Sequence, residues 1–498
     1  MSFPRKKKIA VIGGGFAGLA SACSLAAQGY QVDLFEKNDT TGGRGRAFSH
    51  NGFRFDMGPS WYWMPGVFEE FFARFGKKVS DYYELTRLDP SYSVYFGDGE
   101  RIDVPASYND LKKIFEYLEQ GSGPKLDQFL AEAKRKYEIS MKEFIWKPSN
   151  SILEYLDPIL LKESLNLQLF SSFSKHARKF FKHPRILQIL EFPVLFLGAK
   201  PSGTPAMYSM MNYADIILGT WYPKGGMVRI AEAMTDLANE LGVRIHTSAE
   251  VNGIVTDGKL SSGLLVNGRK FDADAVIAAA DYHHVEQKLL DVADRNYSEQ
   301  YWKKRIMSPS SLLFFVGVDH KIDKLQHHNL FFDEDFTAHA EEIYDEQKWP
   351  EKPLFYVCCP SKSDALVAPA GKENLFILIP VATGLTSDES VREHYFNMCI
   401  RRIEKHTGAS IQNHIEFSRS YAHEEFISDY NAFMGNAYGL ANTLRQTAVL
   451  KPRMRSKKVA NLFYAGQLTV PGPGVPPSII SGQIAAKEVI NYLNRKER

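Results

Sequence analysis

Three glycines, Gly13, Gly15 and Gly18, stand in the spacing G-x-G-x-x-G directly after a short β-branched apolar run. The first glycine permits a tight turn, the second lets the backbone approach a pyrophosphate, and the third lets a helix pack on a strand. The residues from Phe16 onward have helical spacing, so a helix N-terminus would add partial positive charge at the same place. This pattern predicts a binding site for the phosphates of a dinucleotide.

An acidic residue follows at the distance that ribose binding requires. Glu36 closes a second strand-like segment, Gln31–Glu36, and could accept hydrogen bonds from ribose hydroxyls. A carboxylate there repels a 2′-phosphate, which disfavours NADP. NAD and FAD share this fingerprint, so these residues leave the choice between the two cofactors open.

A second glycine motif, Gly42-Gly43-Arg44-Gly45-Arg46, comes shortly after Glu36 and is followed by G-x-x-x-D-x-G ending at Gly58. Two adjacent glycines let the chain pass close to a cofactor, and Arg44 could pair with a phosphate or lie near a flavin ring. Together with Glu36, these motifs resemble those of the flavoprotein group that contains amine oxidases, carotenoid desaturases and Rab GDP-dissociation inhibitors.

Within that group, the sequence is most similar to the bacterial-type phytoene desaturases, and the resemblance covers almost the whole chain. The segments that carry it are Gly58–Pro65, Thr204–Tyr208, Thr220–Met227, Ala273–Asp281 and Asn461–Gly482. One departure is visible in the last segment. Gln467, Leu468 and Val470 stand where the family more often has small residues and a histidine.

The resemblance implies FAD as the cofactor. It implies that Gly466 ends a strand near the pyrophosphate, that the turn at Gly474 and Val475 presents N–H groups to the flavin, and that Val251 touches the adenine side. The cofactor-binding residues expected on this basis are Gly13, Gly15, Gly18, Glu36, Lys37, Gly43, Arg44, Gly58, Pro59, Ser60, Val251, Asp281, Gly466, Gly474 and Val475.

The reaction implied is transfer of a hydride from a carotenoid C–H to flavin N5, with loss of a proton from the neighbouring carbon and later reoxidation by a quinone or oxygen. A long hydrocarbon must be recognised by shape and apolar burial. No catalytic acid or base is predicted, because the flavin carries the chemistry. Trp61, Tyr62 and Trp63 are either walls of a substrate tunnel or core residues.

The family resemblance favours phytoene as the substrate. The alternatives are desaturation of a later carotenoid, such as a 3,4-desaturation of an acyclic or hydroxylated chain, carotenoid isomerisation, and a non-enzymatic isoprenoid carrier of the GDP-dissociation-inhibitor type. An amine oxidase is a further alternative.

The elements that must position these residues indicate an α/β fold. We expect a Rossmann-like FAD-binding domain with a parallel sheet, interleaved with a substrate domain of mixed β-sheet plus helices and with a helical membrane-associating region. The expected divisions are 1–80, 221–290 and 451–498 for the FAD-binding domain, 81–220 for the helical region and 291–450 for the substrate domain.

Composition narrows the class of protein. The 498 residues are 44% apolar and 24% charged, as in ordinary globular proteins, and the net charge of +2 predicts no nucleic-acid partner. Four cysteines without a C-x-x-C pair favour a reducing cytoplasm and no metal site. No apolar run is long enough for a membrane span.

Residues 152–198 are the segment in which we expect peripheral contact with a membrane, because it combines an apolar set with flanking basic residues, which suits the headgroup boundary. The apolar members are Leu153, Leu156, Ile159, Leu160, Leu161, Leu165 and Leu167, and the basic members are Lys175, His176, Arg178, Lys179, Lys182, His183 and Arg185. A solvated basic helix is the alternative interpretation.

Overall fold

The computed structural model describes residues 6–151, 154, 168, 171–195, 198–443 and 446–496. Along the chain the strands are β1 (Lys8–Ile12), β2 (Gln31–Phe35), β3 (Ala47–His50), β4 (Phe53–Asp56), β5 (Leu85–Arg87), β6 (Tyr92–Phe96), β7 (Arg101–Val104), β8 (Trp221–Pro223), β9 (Arg244–His246), β10 (Val251–Asp257), β11 (Leu260–Val266), β12 (Arg269–Asp272), β13 (Ala275–Ala278), β14 (Ser310–Val318), β15 (His328–Phe332), β16 (Phe355–Cys358), β17 (Glu373–Val381), β18 (Ile415–Tyr421) and β19 (Leu462–Tyr464).

The helices are α1 (Phe16–Ala26), α2 (Pro65–Ala73), α3 (Tyr108–Leu118), α4 (Ser122–Ile139), α5 (Phe173–Phe180), α6 (Pro184–Leu195), α7 (Met210–Asn212), α8 (Val228–Glu240), α9 (Tyr282–His284), α10 (Glu299–Lys303), α11 (Phe336–Glu341), α12 (Glu389–Thr407), α13 (His423–Tyr430) and α14 (Val475–Lys496).

A five-stranded parallel sheet, in the order β19-β13-β1-β2-β9, draws its strands from three distant parts of the chain. Its centre, β1, is buried over Ile9–Ile12, as expected of a parallel strand covered on both faces. Helix α1 connects β1 to β2 and packs against α8 and α14. The expected strand–helix–strand unit at the N-terminus is therefore present.

A seven-stranded mixed sheet, in the order β18-β14-β17-β16-β15-β6-β7, forms a second layer system. Only β15 and β6 pair in parallel. Strand β14 is buried at all nine positions, because successive side chains enter two different cores. Leu312 and Phe314 pack with Ile400 of α12, whereas Leu313 and Phe315 face the core shared with the parallel sheet. The α/β class with a parallel and a mixed sheet is confirmed.

One prediction about the middle of the chain was wrong. The helical texture expected directly beyond residue 80 begins only at α3, and Leu85–Val104 forms β5, β6 and β7 instead. All five residues of β6 are buried, so the alternation of apolar and polar residues that identifies a half-exposed strand is missing.

The segment predicted to contact a membrane is only partly described. The seven apolar residues named above lie outside the described residues. The seven basic residues lie on and after α5. Lys175, Arg178 and Lys179 are exposed, but His176 is buried beside Lys136 of α4. None of the described helices is both long and apolar enough to cross a bilayer.

The contact between α1 and α14 gives a test of the fold. A Cβ at Gly482 would lie 2.2 Å from the carbonyl oxygen of Ala17, a backbone atom that cannot move aside cheaply. We therefore expect Gly482→Ala to lower the free energy of unfolding by about 1–3 kcal/mol. Gly66→Ala in α2 is the matched control, since a Cβ there meets no atom within 4 Å. Equal denaturation midpoints for the two variants would contradict the packing described here.

Candidate functional site

A cleft lies at the carboxyl ends of β1, β2 and β13. In open α/β sheets this edge is where ligands bind. The predicted cofactor-binding residues that line the cleft are Gly13, Gly15, Glu36, Lys37, Gly43, Arg44, Val251, Asp281 and Gly466. Residues from four separated parts of the sequence therefore meet in one site.

Two glycine turns form the floor of this cleft. Gly13 has φ +97°, and a Cβ there would lie 3.1 Å from the backbone nitrogen of Ala280. Gly43 has φ +54°, and its Cβ would lie 3.2 Å from the Cα of Gly15. Because neither turn carries a side chain, the backbone N–H groups at the start of α1 are open to a phosphate. The glycine pattern fits the pyrophosphate of a dinucleotide cofactor.

Glu36 is buried and held in place by its neighbours. Its Oε2 accepts a hydrogen bond from the backbone N–H of Gly14 at 2.7 Å, and its Oε1 accepts two from the N–H and the side-chain amide of Asn38, each at 2.9 Å. A carboxylate has about four acceptor positions, so at least one remains for a ribose hydroxyl. The side chain is thus oriented before any ligand binds.

Arg44 is the main cation of the cleft. Its Nη2 donates to the carbonyl oxygen of Asn436 at 3.1 Å, and its guanidinium lies 5.1 Å from the ring centre of Tyr430. Burial lowers the pKa of Arg44, and the Asp281 carboxylate opposes this shift. Within the described part of the chain, the Nε of Arg44 is buried without a hydrogen-bond partner. An acceptor on a bound cofactor would satisfy it.

Gln467, at the departure from the family pattern, also contacts Arg44. Its side-chain amide lies 3.1 Å from the Nη2 of Arg44 and 2.8 Å from the Oδ1 of Asn436. A small residue at this position would leave both groups without that contact. The departure therefore adds a polar group to the cleft wall.

The remaining expected cofactor residues do not line the cleft. Gly18 lies behind it, where a Cβ would be 1.9 Å from the carbonyl oxygen of Gly13, so its role is close helix packing. Gly474 and Val475 begin α14, whose Ser478 lines the cleft. Pro59 is half-buried and lines none of the cavities described.

Gly58, which ends the G-x-x-x-D-x-G motif, and Ser60, two residues later, are also outside the cleft. A Cβ at Gly58 would lie 2.5 Å from the carbonyl oxygen of Arg44, so this glycine lets the two segments cross. Ser60 lines a separate small cavity with Asp56. The Asp56 carboxylate accepts the N–H groups of Met227 at 2.7 Å and Val228 at 2.9 Å. Burial raises the pKa of Asp56 to about 6.

An apolar cavity lies between the mixed sheet and helices α6 and α11. Its walls include Phe192, Leu330, Phe332, Phe336, Ile343 and Leu354. None of the described residues that line it is Asp, Glu, Lys or Arg. Such a lining suits an uncharged, apolar ligand.

The three aromatic residues expected at the tunnel have different positions. Trp61 lies with its ring centre 5.5 Å from those of Phe192 and Tyr356, both of which line the apolar cavity. Trp63 lies 6.0 Å from Phe192. Tyr62 is fully buried, and its hydroxyl is 3.0 Å from that of Tyr83, so it is a core residue that lines neither cavity.

The sequence patterns did not predict several residues that line the cleft. Asp429, Tyr430 and Asn431 line the cleft from the end of α13, and His284 lines it next to Asp281. Only Asn431 carries a local signal, a left-handed helix end with φ 52°. The others reach the cleft through long-range packing that no local pattern reveals.

Two pairs of adjacent histidines, His283-His284 and His327-His328, are partly or fully buried. Burial lowers the pKa of His284. His327 and His328 are buried, and the ring of His328 stacks on Trp61 at 4.0 Å. Burial lowers the pKa of His327 to about 3, so this imidazole is neutral near pH 7. Donor atoms of these two histidines and Cys358 lie within 4.8 Å of one another.

The chain matches one protein family over almost its whole length. Residues 16–490 match the family described as flavin containing amine oxidoreductase. The chain belongs to this family. Within it, the chain is 40% identical over 97% of its length to a carotenoid 3,4-desaturase from Haloarcula japonica, covering 98% of that protein. It is 31% identical over 98% of its length to a zeta-carotene-forming phytoene desaturase from Myxococcus xanthus, covering 94% of that protein.

The fold is similar to that of an oxidoreductase from Methanosarcina mazei, with a TM-score of 0.62 at 17% identity, over 99% of this chain and 100% of the other. The resemblance to the carotenoid desaturases and the assignment of FAD are confirmed. This flavoprotein is an oxidoreductase of the CH–CH type. The residues assigned to cofactor contacts remain predictions.

Glu36 offers a direct test of the cleft. We expect Glu36→Gln to raise the dissociation constant for FAD about tenfold, because a charged hydrogen-bond acceptor is replaced by a neutral one. Glu250→Gln is the matched control, since Glu250 lines the same cleft but is exposed. Titration of apoprotein with FAD, followed by flavin fluorescence, measures both. Equal weakening by the two substitutions would contradict the role of Glu36.

Proposed function

We propose that this flavoprotein introduces a double bond at the 3,4 position of an acyclic, already conjugated carotenoid. The observation that carries the proposal is the higher identity to the carotenoid 3,4-desaturase, 40%, than to the phytoene desaturase, 31%, over nearly the same length. Phytoene, which the sequence patterns favoured, is the second candidate, because the match to the phytoene desaturase also covers 94% of that protein.

The apolar cavity supports a hydrocarbon substrate. Burial of apolar surface contributes about 25 cal/mol per Å², so a long polyene gains affinity without any charged contact. The polar groups in the walls are neutral near pH 7. Burial lowers the pKa of His339 to about 4 and raises the pKa values of Tyr344 and Tyr438. A neutral wall does not have to be desolvated at high cost when the substrate binds.

One segment of the chain runs from the cofactor cleft to the apolar cavity. The segment 429–438 lines the cleft at Asp429, Tyr430 and Asn431 and reaches the apolar cavity at Tyr438. This connection supports the proposal that the two cavities serve one reaction.

Bound FAD would supply a two-electron acceptor for the hydride of the reacting C–H bond. The chain's own residues would orient the polyene and exclude water. No free acid or base faces the substrate from the described walls: the Nε2 of His339 is 3.0 Å from the carbonyl oxygen of Pro380, and its Nδ1 accepts the N–H of Leu354 at 3.1 Å. The faces of Trp61 and Tyr356 could stabilise the positive charge that develops on an allylic carbon.

The electron acceptor and the location of the enzyme belong to the same proposal. A quinone or oxygen would reoxidise the flavin, and a carotenoid dissolved in a bilayer would require contact with the membrane surface from the cytoplasmic side. The exposed Lys175, Arg178 and Lys179 of α5, followed by exposed Lys182, support attraction to anionic lipid headgroups.

Pigment analysis in two bacterial hosts tests the substrate. In a host that accumulates a conjugated acyclic carotenoid, we expect products with added double bonds and absorption at longer wavelength; in a phytoene-accumulating host, we expect unchanged phytoene. New coloured products from phytoene would instead assign the chain as a phytoene desaturase. Rearranged isomers without added double bonds would assign an isomerase. A flavin-loaded protein that changes no carotenoid would contradict desaturation and leave the carrier or an amine oxidase.

Blocking the apolar cavity tests the place of the substrate. Ala340 lines the cavity on α11, so Ala340→Phe should lower kcat/KM for the carotenoid about 5- to 150-fold, as expected for about 1–3 kcal/mol of overpacking. Ala338→Phe, at an exposed position of the same helix, is the control. Both variants should retain the wild-type FAD content. Full activity of Ala340→Phe would place the substrate elsewhere.

A further inference from the structure

Lys451 is a buried lysine that the features above leave without a role. Its side chain follows the short turn Ala448–Leu450 and precedes β19, and it is only 3% exposed. Within the described part of the chain, its Nζ has no hydrogen-bond partner or ion-pair partner. Leaving a buried ammonium uncompensated costs several kcal/mol, so such a group calls for an explanation.

The Nζ of Lys451 points at the glycine turn that leads into α14. A Cβ at Gly472 would lie 2.7 Å from this Nζ and 3.4 Å from the Oδ1 of Asn442. That Oδ1 is also buried without a partner among the described residues. Two unsatisfied polar groups thus converge on Gly472, whose φ of 137° and missing side chain leave room for them.

Two sources of positive potential meet at this turn. The N-terminus of α14, at Val475, carries the positive end of the helix dipole, and the ammonium of Lys451 lies beside Gly472, three residues before Val475. Burial lowers the pKa of Lys451 to about 7. A negative charge placed nearby would raise that pKa again and hold the ammonium in its charged form. The arrangement is therefore complementary to an anion that appears during the reaction.

We propose that Lys451 and the N-terminus of α14 together stabilise the negative charge of the reduced flavin. This inference rests on the proposed function and on the position of the glycine turn, which lies in the chain between Leu468 and Ser478, two residues that line the cofactor cleft. The substrate C–H bond breaks with its electron pair, which moves as hydride to FAD, while the neighbouring carbon releases a proton to solvent and the new C=C bond forms. The flavin thereby gains one negative charge, and a quinone or oxygen later removes the two electrons.

Lys451 is therefore a residue that favours hydride acceptance through charge. It takes no proton from the substrate. Its removal should lower the reduction potential of the flavin and weaken the binding of sulfite, which adds to oxidised flavin and also produces a negatively charged ring. Both properties can be measured without any carotenoid.

The test uses the flavin-loaded enzyme and four substitutions. Lys451→Met keeps the length and removes the charge, Lys451→Gln is a second neutral variant, and Lys451→Arg keeps the charge. Lys136→Met is the matched control, because Lys136 is equally buried, at 2%, but lies in α4 with several hydrogen-bond partners outside the cleft. Sulfite dissociation constants and two-electron potentials are measured at one pH.

We expect Lys451→Met to raise the sulfite dissociation constant at least tenfold and to lower the two-electron potential by about 30 mV, the equivalent of a tenfold change. Lys451→Arg should stay within threefold of wild type, and Lys136→Met should be unchanged. Wild-type values in flavin-loaded Lys451→Met or Lys451→Gln would overturn the inference. So would a wild-type flavin band that does not bleach in saturating sulfite.

Failure of this inference differs from failure of the proposed function. Unchanged flavin properties in Lys451→Met, in an enzyme that still desaturates carotenoids, overturn only the role of Lys451. A wild-type enzyme that holds FAD and changes no carotenoid overturns the proposed substrate, while the sulfite measurement still decides the role of Lys451.

Discussion

The site depends on one backbone contact between its two glycine motifs. The N–H of Gly42 donates to the carbonyl oxygen of Gly14 at 2.8 Å, and Gly15 and Gly42 pair as an isolated parallel bridge. A Cβ on Gly43 would lie 3.2 Å from the Cα of Gly15, so a side chain there would push the two segments apart by a few tenths of an ångström. This contact places Arg44 across the cleft from the start of α1, so that one cation and one helix N-terminus face the same space. The rest of the cleft is built around that pair.

Charge is distributed unevenly between the two cavities. The cleft contains Glu36, Arg44 and Asp281, each fixed by hydrogen bonds or ring contacts, whereas the described walls of the apolar cavity carry no charged residue. Such a division suits a reaction in which electrons leave a neutral hydrocarbon and arrive on a charged cofactor. A charge in the apolar cavity would have to be desolvated by the polyene, and a neutral cleft would leave the pyrophosphate uncompensated.

Local motifs explain which parts of the site could be predicted from the sequence. Gly13, Gly15, Glu36 and Gly43 lie within one continuous stretch, where turn geometry and strand order follow from neighbouring residues. Tyr430 and His284 could not be placed, because they depend on how α13 and α9 dock against a sheet made of distant segments.

Strand β6 shows the same limit in the fold. Its residues Tyr92–Phe96 are all buried, and the hairpin of β6 and β7 joins the rest of the sheet through β15, more than two hundred residues later.

The position of a residue in a sequence motif does not show that it contacts a ligand. Gly18 and Gly58 belong to glycine motifs, but each lies where two backbone segments pass closely outside the cleft. Tyr62 belongs to an aromatic triplet but packs in the core.

Gln467 connects the closing motif to the choice of substrate. A Cβ at Gly439 would lie 2.9 Å from both the Cγ and the backbone carbonyl oxygen of Gln467, so the two segments pass too closely for a side chain at 439. Gly439 directly follows Tyr438, which lines the apolar cavity, and its N–H donates to the Oδ1 of Asn436 at 2.9 Å. The position that departs from the family pattern therefore lies against the segment 436–439. Since Arg44 is held by the same Asn436, a change at position 467 would alter the cofactor cleft and the substrate cavity together.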